Sequence, residues 1–260
     1  MAITLRSHRE IELMRKAGAV VADVLSKLKE LAEPGITTAW LDGVALQMAA
    51  EAGAETLFKG VRSPMARIPF PGAICASINE QVVHGIPSKD AKLKNGDILS
   101  VDFGVRLNGY CADSAITIAI GKISEDRRKL MDTTKRVLDI AIEKSMPTVR
   151  WSQVAAEMQK FAESAGFSVV KDFVGHGIGR QMHEEPRVPN FVSNELLTND
   201  IVLAEGMALA VEPMINTGSS AVRTLKNGWT VVTRDGKSSA HFEHTIVILK
   251  NGCEVLTVRK

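Results

Sequence analysis

The chain predicts an α+β fold made by internal duplication, with two similar halves packed into one domain around a shared sheet. Two observations carry this. A pair of amphipathic helices followed by strands occurs twice along 260 residues. The punctuation also repeats: Pro34 precedes Gly53 by 19 positions and Pro147 precedes Gly166 by 19, an offset of 113 in both cases. Ala49, Ala52 and Leu25 meet Ala162, Ala165 and Leu138 at the same offset. Coincidence among common helix residues is the alternative. No linker separates the halves, roughly 9–121 and 122–260, so one domain over 1–260 is expected.

Taken in order, residues 9–32 place Ile11, Met14, Val21, Leu25 and Leu28 near helical spacing and stop at Pro34-Gly35. Residues 38–52 form a second helix, with Leu41, Ala45, Met48 and Ala49 inward and Gly53 as its stop. Three prolines in 63–72 forbid regular structure and predict a stiff surface loop. Residues 73–83 read as a strand and a turn, ending at His84-Gly85-Ile86-Pro87. Segments 98–105 and 110–120 flank Asn108-Gly109, a strong hairpin signal. Helices are expected again over 125–145 and 151–165. The remainder reads as strands near 169–174, 207–214, 230–233, 241–249 and 254–258, with turns at Asn227-Gly228, Asp235-Gly236 and Asn251-Gly252.

Composition removes several function classes. Thirty-two basic and 30 acidic residues leave a net charge of +2, without the basic stripe of a dedicated nucleic-acid binder. No apolar run of about 18 residues exists to span a membrane. Charges from Arg6 onward leave no secretory segment at the N-terminus. Cys75, Cys111 and Cys253 are odd in number, far apart and outside any CxxC, which suits a reducing, cytoplasmic setting.

The chemistry centres on 175–186, GHGIGRQMHEEP. Three glycines around His176 make a poor helix and a good kinked loop or strand end, so this is not the helical HExxH zinc pattern. Taken alone, the stretch fits equally a turn with two surface histidines. In the 98–120 hairpin, a two-residue turn at Asn108-Gly109 sets Gly104 opposite Asp113, and Asp102 and Asp113 then share a face as diagonal neighbours. Two carboxylates among Val101, Phe103, Ala112 and Ala115 repel each other and cost desolvation unless a cation lies between them. A turn-capping Asp113 and a solvated Asp102 are the alternative. Glu212, after an apolar strand, and Glu243, at the start of another, are unfavourable there without a counter-charge. Four carboxylates and His176 form a hard donor set suited to two divalent ions of the Mn, Fe or Co type, which implies metal-assisted hydrolysis.

These residues resemble a known family. NEQVVHGIP (79–87), VDFG with a second Asp eleven residues on, GHGIGRQMHEEP, VEP and FEH, in this order, are similar to the type I methionine aminopeptidases. The likeness runs over nearly the whole chain, from the opening EIELMRKAG. It implies the pita-bread fold, a pseudo-two-fold duplication around a curved antiparallel sheet flanked by helices. It implies that Asp102, Asp113, His176, Glu212 and Glu243 bind two divalent ions (Co, Mn, Fe or Zn), with Asp113 and Glu243 bridging. His84 would bond the scissile amide, His183 the carbonyl oxygen, and Glu212 would also move the proton of the attacking water. Phe70, Cys75, His84, Met182, His183 and Trp229 would bind substrate. Cys75 serves equally as a small buried hydrophobe. Arg67 stands where a tyrosine is usual, which puts one pocket wall in question, and Met182 replaces a usual phenylalanine. Asn79 and Ser239 resemble contributors to a monovalent-cation site seen in some members.

The activity so implied is removal of the initiator methionine from nascent chains when the second residue is small, by a cytoplasmic monomer touching the ribosome only transiently. Two other readings stand beside it. An Xaa-Pro peptidase of the same fold usually carries an extra N-terminal domain and longer spacing around the second histidine. A non-catalytic peptide- or ribosome-binding relative would lose metal ligands, because unused buried carboxylates are costly.

Overall fold

Helix α1 (His8–Leu31) starts where Ser7 and Glu10 close a capping box: the Glu10 amide donates to Ser7 Oγ and the Ser7 amide to Glu10 Oε2. It buries Ile11, Met14, Val21, Leu25 and Leu28. Helix α2 (Thr38–Glu51) follows, and the pair recurs as α3 (Glu125–Lys144) and α4 (Trp151–Ser164). A short α5 (Asn194–Thr198) lies late in the chain. This computed structural model describes residues 3–259; Met1, Ala2 and Lys260 of the expected domain lie outside the described residues.

The 113-residue offset is a repeat of hydrogen bonds. The Ala52 amide donates to Met48 O and the Ala165 amide to Phe161 O, both at 3.1 Å. The Gly53 and Gly166 amides donate to Ala50 O and Glu163 O, both at 3.0 Å. Each glycine has positive φ, +67° and +87°, the left-handed turn that ends a helix. Ahead of the helices, Gly35 N donates to Leu93 O and Thr148 N to Leu203 O, both at 2.8 Å. The acceptor leucines are 110 apart, so the second half is three residues shorter here. At that offset the strands Ile98–Leu107 and Ala208–Val211 begin together, and Asp102 matches Glu212.

Asn108 and Gly109 both take positive φ, +51° and +80°, and join Ile98–Leu107 to Tyr110–Ala119 with Leu107 opposite Tyr110 and Gly104 opposite Asp113. Cys75–Ile78 flanks the same strand, placing Cys75 opposite Asp102. In the second half a five-stranded sheet runs Gly252–Val255, His244–Leu249, Ala208–Val211, Gly175–Gly177, Glu184–Val188. The halves are stitched along Tyr110–Ala119. Thr245 Oγ1 donates to Asp113 O (2.8 Å) and accepts from Asp113 N (3.0 Å), while Glu243 N donates to Ala115 O (3.0 Å).

Several expected strands are shorter or divided. The 207–214 strand breaks at Glu212-Pro213 into Ala208–Val211 and Met214–Asn216, since Pro213 has no N–H for the ladder. The 241–249 strand breaks at Phe242-Glu243 into Ser239–His241 and His244–Leu249. Segment 73–83 becomes Cys75–Ile78 and Gln81–Val83, and 169–174 shrinks to Ser168–Val169. The last strand is Gly252–Val255 instead of 254–258, because Thr257 turns inward to pair with His244 and Thr245. Glu55–Thr56, Glu184–Val188, Val222–Thr224 and α5 are too short to leave a periodic signal.

Candidate metal centre and adjoining pocket

A cavity of ≈ 260 Å³ lies where the halves meet, polar at one end and apolar at the other. Asp102, Asp113, His176, Glu212 and Glu243 line the polar end. Asp113, His176 and Glu243 bring one donor atom each to within 4.8 Å of one another. His176 Nε2 stands 3.7 Å from Glu212 Oε1. His176 Nδ1 is 2.9 Å from Gly177 O, a contact that fixes the ring and leaves Nε2 for a ligand.

Tight backbone contacts make this arrangement possible. A Cβ on Gly104 would approach Asp113 Oδ1 to 2.9 Å, and one on Gly175 would meet Ala210 O at 2.3 Å. A glycine opposite Asp113 leaves the carboxylate its space, and glycines around His176 let three strands close over it.

Electrostatics says what is missing from this set. Asp102 Oδ1, Asp113 Oδ1 and Glu243 Oε1 are buried with no hydrogen-bond partner. Burial raises the pKa of all four acids; Asp113 adds to it at Glu212, and Asp113 then Glu212 add to it at Asp102, while contact with Asp102 and the Ser114 backbone lowers Asp113 itself. Glu243 is raised well above its ordinary value by burial and then by Asp113, Asp102 and Glu212, and burial puts Asp113 at about 7. His176 is depressed to about 4 by burial and by His183, so it is a neutral donor at neutral pH. Orphaned carboxylate oxygens beside a neutral imidazole fit hard divalent cations.

At the apolar end Phe58, Phe70 and Cys75 pack with Met182 and Trp229. Phe70 and Trp229 meet edge to face at 5.3 Å. His84, in the left-handed region at φ +57°, lies edge-on to Phe173 at 5.5 Å, and burial lowers its pKa to about 4. His183 meets His176 edge to face with ring centroids 4.3 Å apart. All the residues singled out from the sequence as ligands of the divalent ions or as substrate contacts therefore line one cavity, whereas Arg67, Asn79 and Ser239 lie outside it.

Other positions were not foreseen. Phe58, Val61, Phe173 and Val174 line the cavity from short or irregular segments, where apolar residues leave no pattern. His241, buried, points Nε2 to within 3.8 Å of Glu212 Oε2; the sequence hint was its place two residues before Glu243. Arg67 forms no wall. Paired bonds between Gly60 N and Phe70 O and between Phe70 N and Val61 O, both 2.8 Å, pinch the loop, so 62–69 bulges outward with Arg67 exposed and Val61 at the cavity. Ser239 N donates to Asn79 O at 2.8 Å, while the Asn79 side chain is engaged by Asp97 and Ile98 N.

Comparison with known proteins follows this geometry. A model of metallopeptidase family M24 matches residues 12–250, and the chain belongs to that family. Within it, the chain is 48% identical over 258 residues to a methionine aminopeptidase of Clostridium perfringens, covering 99% of this chain and 100% of the relative. It is 43% identical to methionine aminopeptidase 1 of Bacillus subtilis, covering 98% and 99%. The crystal structure of the methionine aminopeptidase from Thermotoga maritima superposes with a TM-score of 0.93 at 39% identity, over 100% of both chains. The prolidase from Pyrococcus horikoshii shares the fold alone, with a TM-score of 0.77 at 20% identity, over 98% of this chain and 64% of that one.

Proposed function

We propose that this chain removes N-terminal methionine from peptides whose second residue is small, acting on nascent chains in the cytoplasm with at most transient ribosome contact. The observation that carries the reading is one cavity with four acids, three of them with a buried unpartnered oxygen, and His176 at one end and a soft apolar chamber at the other. Full-length relatives at 40–48% identity named methionine aminopeptidase support it over the Xaa-Pro alternative, whose representatives match at 20%. The complete acid set argues against a non-catalytic relative. Among the described residues no helix is long and apolar enough to cross a membrane.

Asp102, Asp113, His176, Glu212 and Glu243 would hold two divalent ions, which when bound supply a water acidic enough to attack near neutral pH and an electrophile for the carbonyl. The chain's own groups do the rest. Phe70, Cys75, Met182 and Trp229 take the methionine side chain, a flexible thioether that suits a polarizable, aromatic wall. His183 donates to the carbonyl oxygen as charge develops there. Neutral His84 bonds the scissile amide. Glu212 receives the proton of the attacking water and passes it to the departing amine.

The test is to strip the purified chain of metal, add Mn or Co, and offer Met-Ala-Ser and Ala-Pro peptides side by side. Metal-dependent methionine release from the first alone is expected. Cleavage of the second would assign the chain to the proline-specific relatives, and silence on both with metal bound would favour a binding protein.

A further inference from the structure

We propose that Arg6 is a positioning residue: through an ion pair with Glu184 it holds the 179–184 loop so that Met182 and His183 face the cavity. The inference rests on the peptidase reading above for its catalytic consequence.

The segment ahead of α1 is fixed before its side chains matter. Arg6 N donates to Gly206 O at 2.7 Å, and Leu5 bridges Met207. This lays the Arg6 side chain, 4% exposed, over the backbone of Gly179. A Cβ on Gly179 would fall 2.1 Å from Arg6 Nη2, so only glycine admits the guanidinium there. Nη2 donates to Glu184 Oε2. The other oxygen, Oε1, accepts from Gln181 N at 3.0 Å. One carboxylate therefore ties the loop to itself and to the start of the chain, and the residues held between Gln181 and Glu184 are Met182 and His183.

Two further observations favour placement over simple stability. Arg6 Nε is buried without a partner, and a guanidinium left partly unsatisfied is a poor stabiliser beside an apolar side chain of similar size. Among the described residues the His183 ring makes no hydrogen bond; its edge-to-face contact with His176 and the loop backbone set its direction. The loop backbone is what Arg6 and Glu184 hold. A donor displaced by about 1 Å loses on the order of 10²-fold in rate.

The experiment compares wild type, Arg6→Met, Arg6→Lys, His183→Ala and the Arg6→Met/His183→Ala double variant, all loaded with Mn. Arg6→Met should lower kcat by about 10²-fold through His183 and raise KM modestly through Met182, with little change in Mn affinity or Tm, and Arg6→Lys should recover part of both losses. In the His183→Ala background Arg6→Met should lower kcat no further, leaving only the change in KM that comes through Met182. Full kcat in Arg6→Met, kcat losses that multiply in the double variant, or a loss that tracks falling Tm or Mn affinity would each overturn the inference. NMR of the histidine rings, recorded with diamagnetic Zn in place of paramagnetic Mn, separates this from the peptidase reading. The His183 signals, identified by their disappearance in His183→Ala, should shift or broaden in Arg6→Met whatever the substrate. Unmoved signals refute the role of Arg6; moved signals in a wild type that releases no methionine refute the peptidase reading alone.

Discussion

The two halves deliver their acids differently. In the first, Asp102 and Asp113 stand on unbroken ten-residue strands, Asp102 opposite Cys75 on one side and Ala115 on the other. In the second, Glu212 and Glu243 stand where strands are interrupted, before Pro213 and after Phe242. Asp102 and Glu212 nevertheless occupy matching places in the repeat. The short acid comes from a backbone that the ladder holds close, and the longer one from a backbone released from it, so the extra methylene makes up the reach. The regular hairpin fixes position and the broken strands permit adjustment.

The largest expected effect tests the cluster itself. Asp113→Asn should cost about 10³-fold or more in metal-dependent turnover, the several kcal/mol that a bound cation supplies. The same variant without metal should unfold at a higher temperature than the metal-free parent, since a repelling buried charge is gone. A lower Tm would mean that the acid stabilises the fold directly. Next comes the reach argument. Asp102→Glu, on the rigid hairpin, should lose about 10²-fold in kcat/KM, and Glu243→Asp, at a break, roughly tenfold less. Equal losses would sever reach from strand regularity.

The pH response is smaller and shared by both halves. Carboxyls with raised folded pKa bind more protons than the unfolded chain, so their stability contribution is full below about pH 4 and is lost as pH rises through about 7, the value for Asp113. Above about pH 6.5, where the buried histidines no longer titrate in either state, metal-free protein should therefore show Tm falling to about pH 8, with Mn restoring most at the upper end. A flat metal-free profile in a thermal scan would contradict the raised values. The smallest effect exploits an imperfection of the repeat. Gly35 and Thr148 are equivalent and both have positive φ, +102° and +72°, which a β-branched residue tolerates badly. Thr148→Gly should stabilise by about 1 kcal/mol in denaturant melts, and Gly35→Thr should destabilise.

Local chemistry in the sequence determined a good deal by itself. Periodicity, Pro-Gly stops and Asn108-Gly109 marked the four long helices and the central hairpin, because caps and tight turns are settled within a few residues. The hairpin register then followed, and with it the shared face of Asp102 and Asp113. Motif order singled out Glu212, Glu243, His176, His84 and His183. Tertiary structure alone decided where strands break, that Val61 and Phe58 replace Arg67 at the cavity, that His241 faces Glu212, and that Arg6 reaches across to Glu184. Those facts join residues as far as 178 positions apart. No local propensity encodes such a meeting; it arises only when the two halves close and their buried polar groups must find partners.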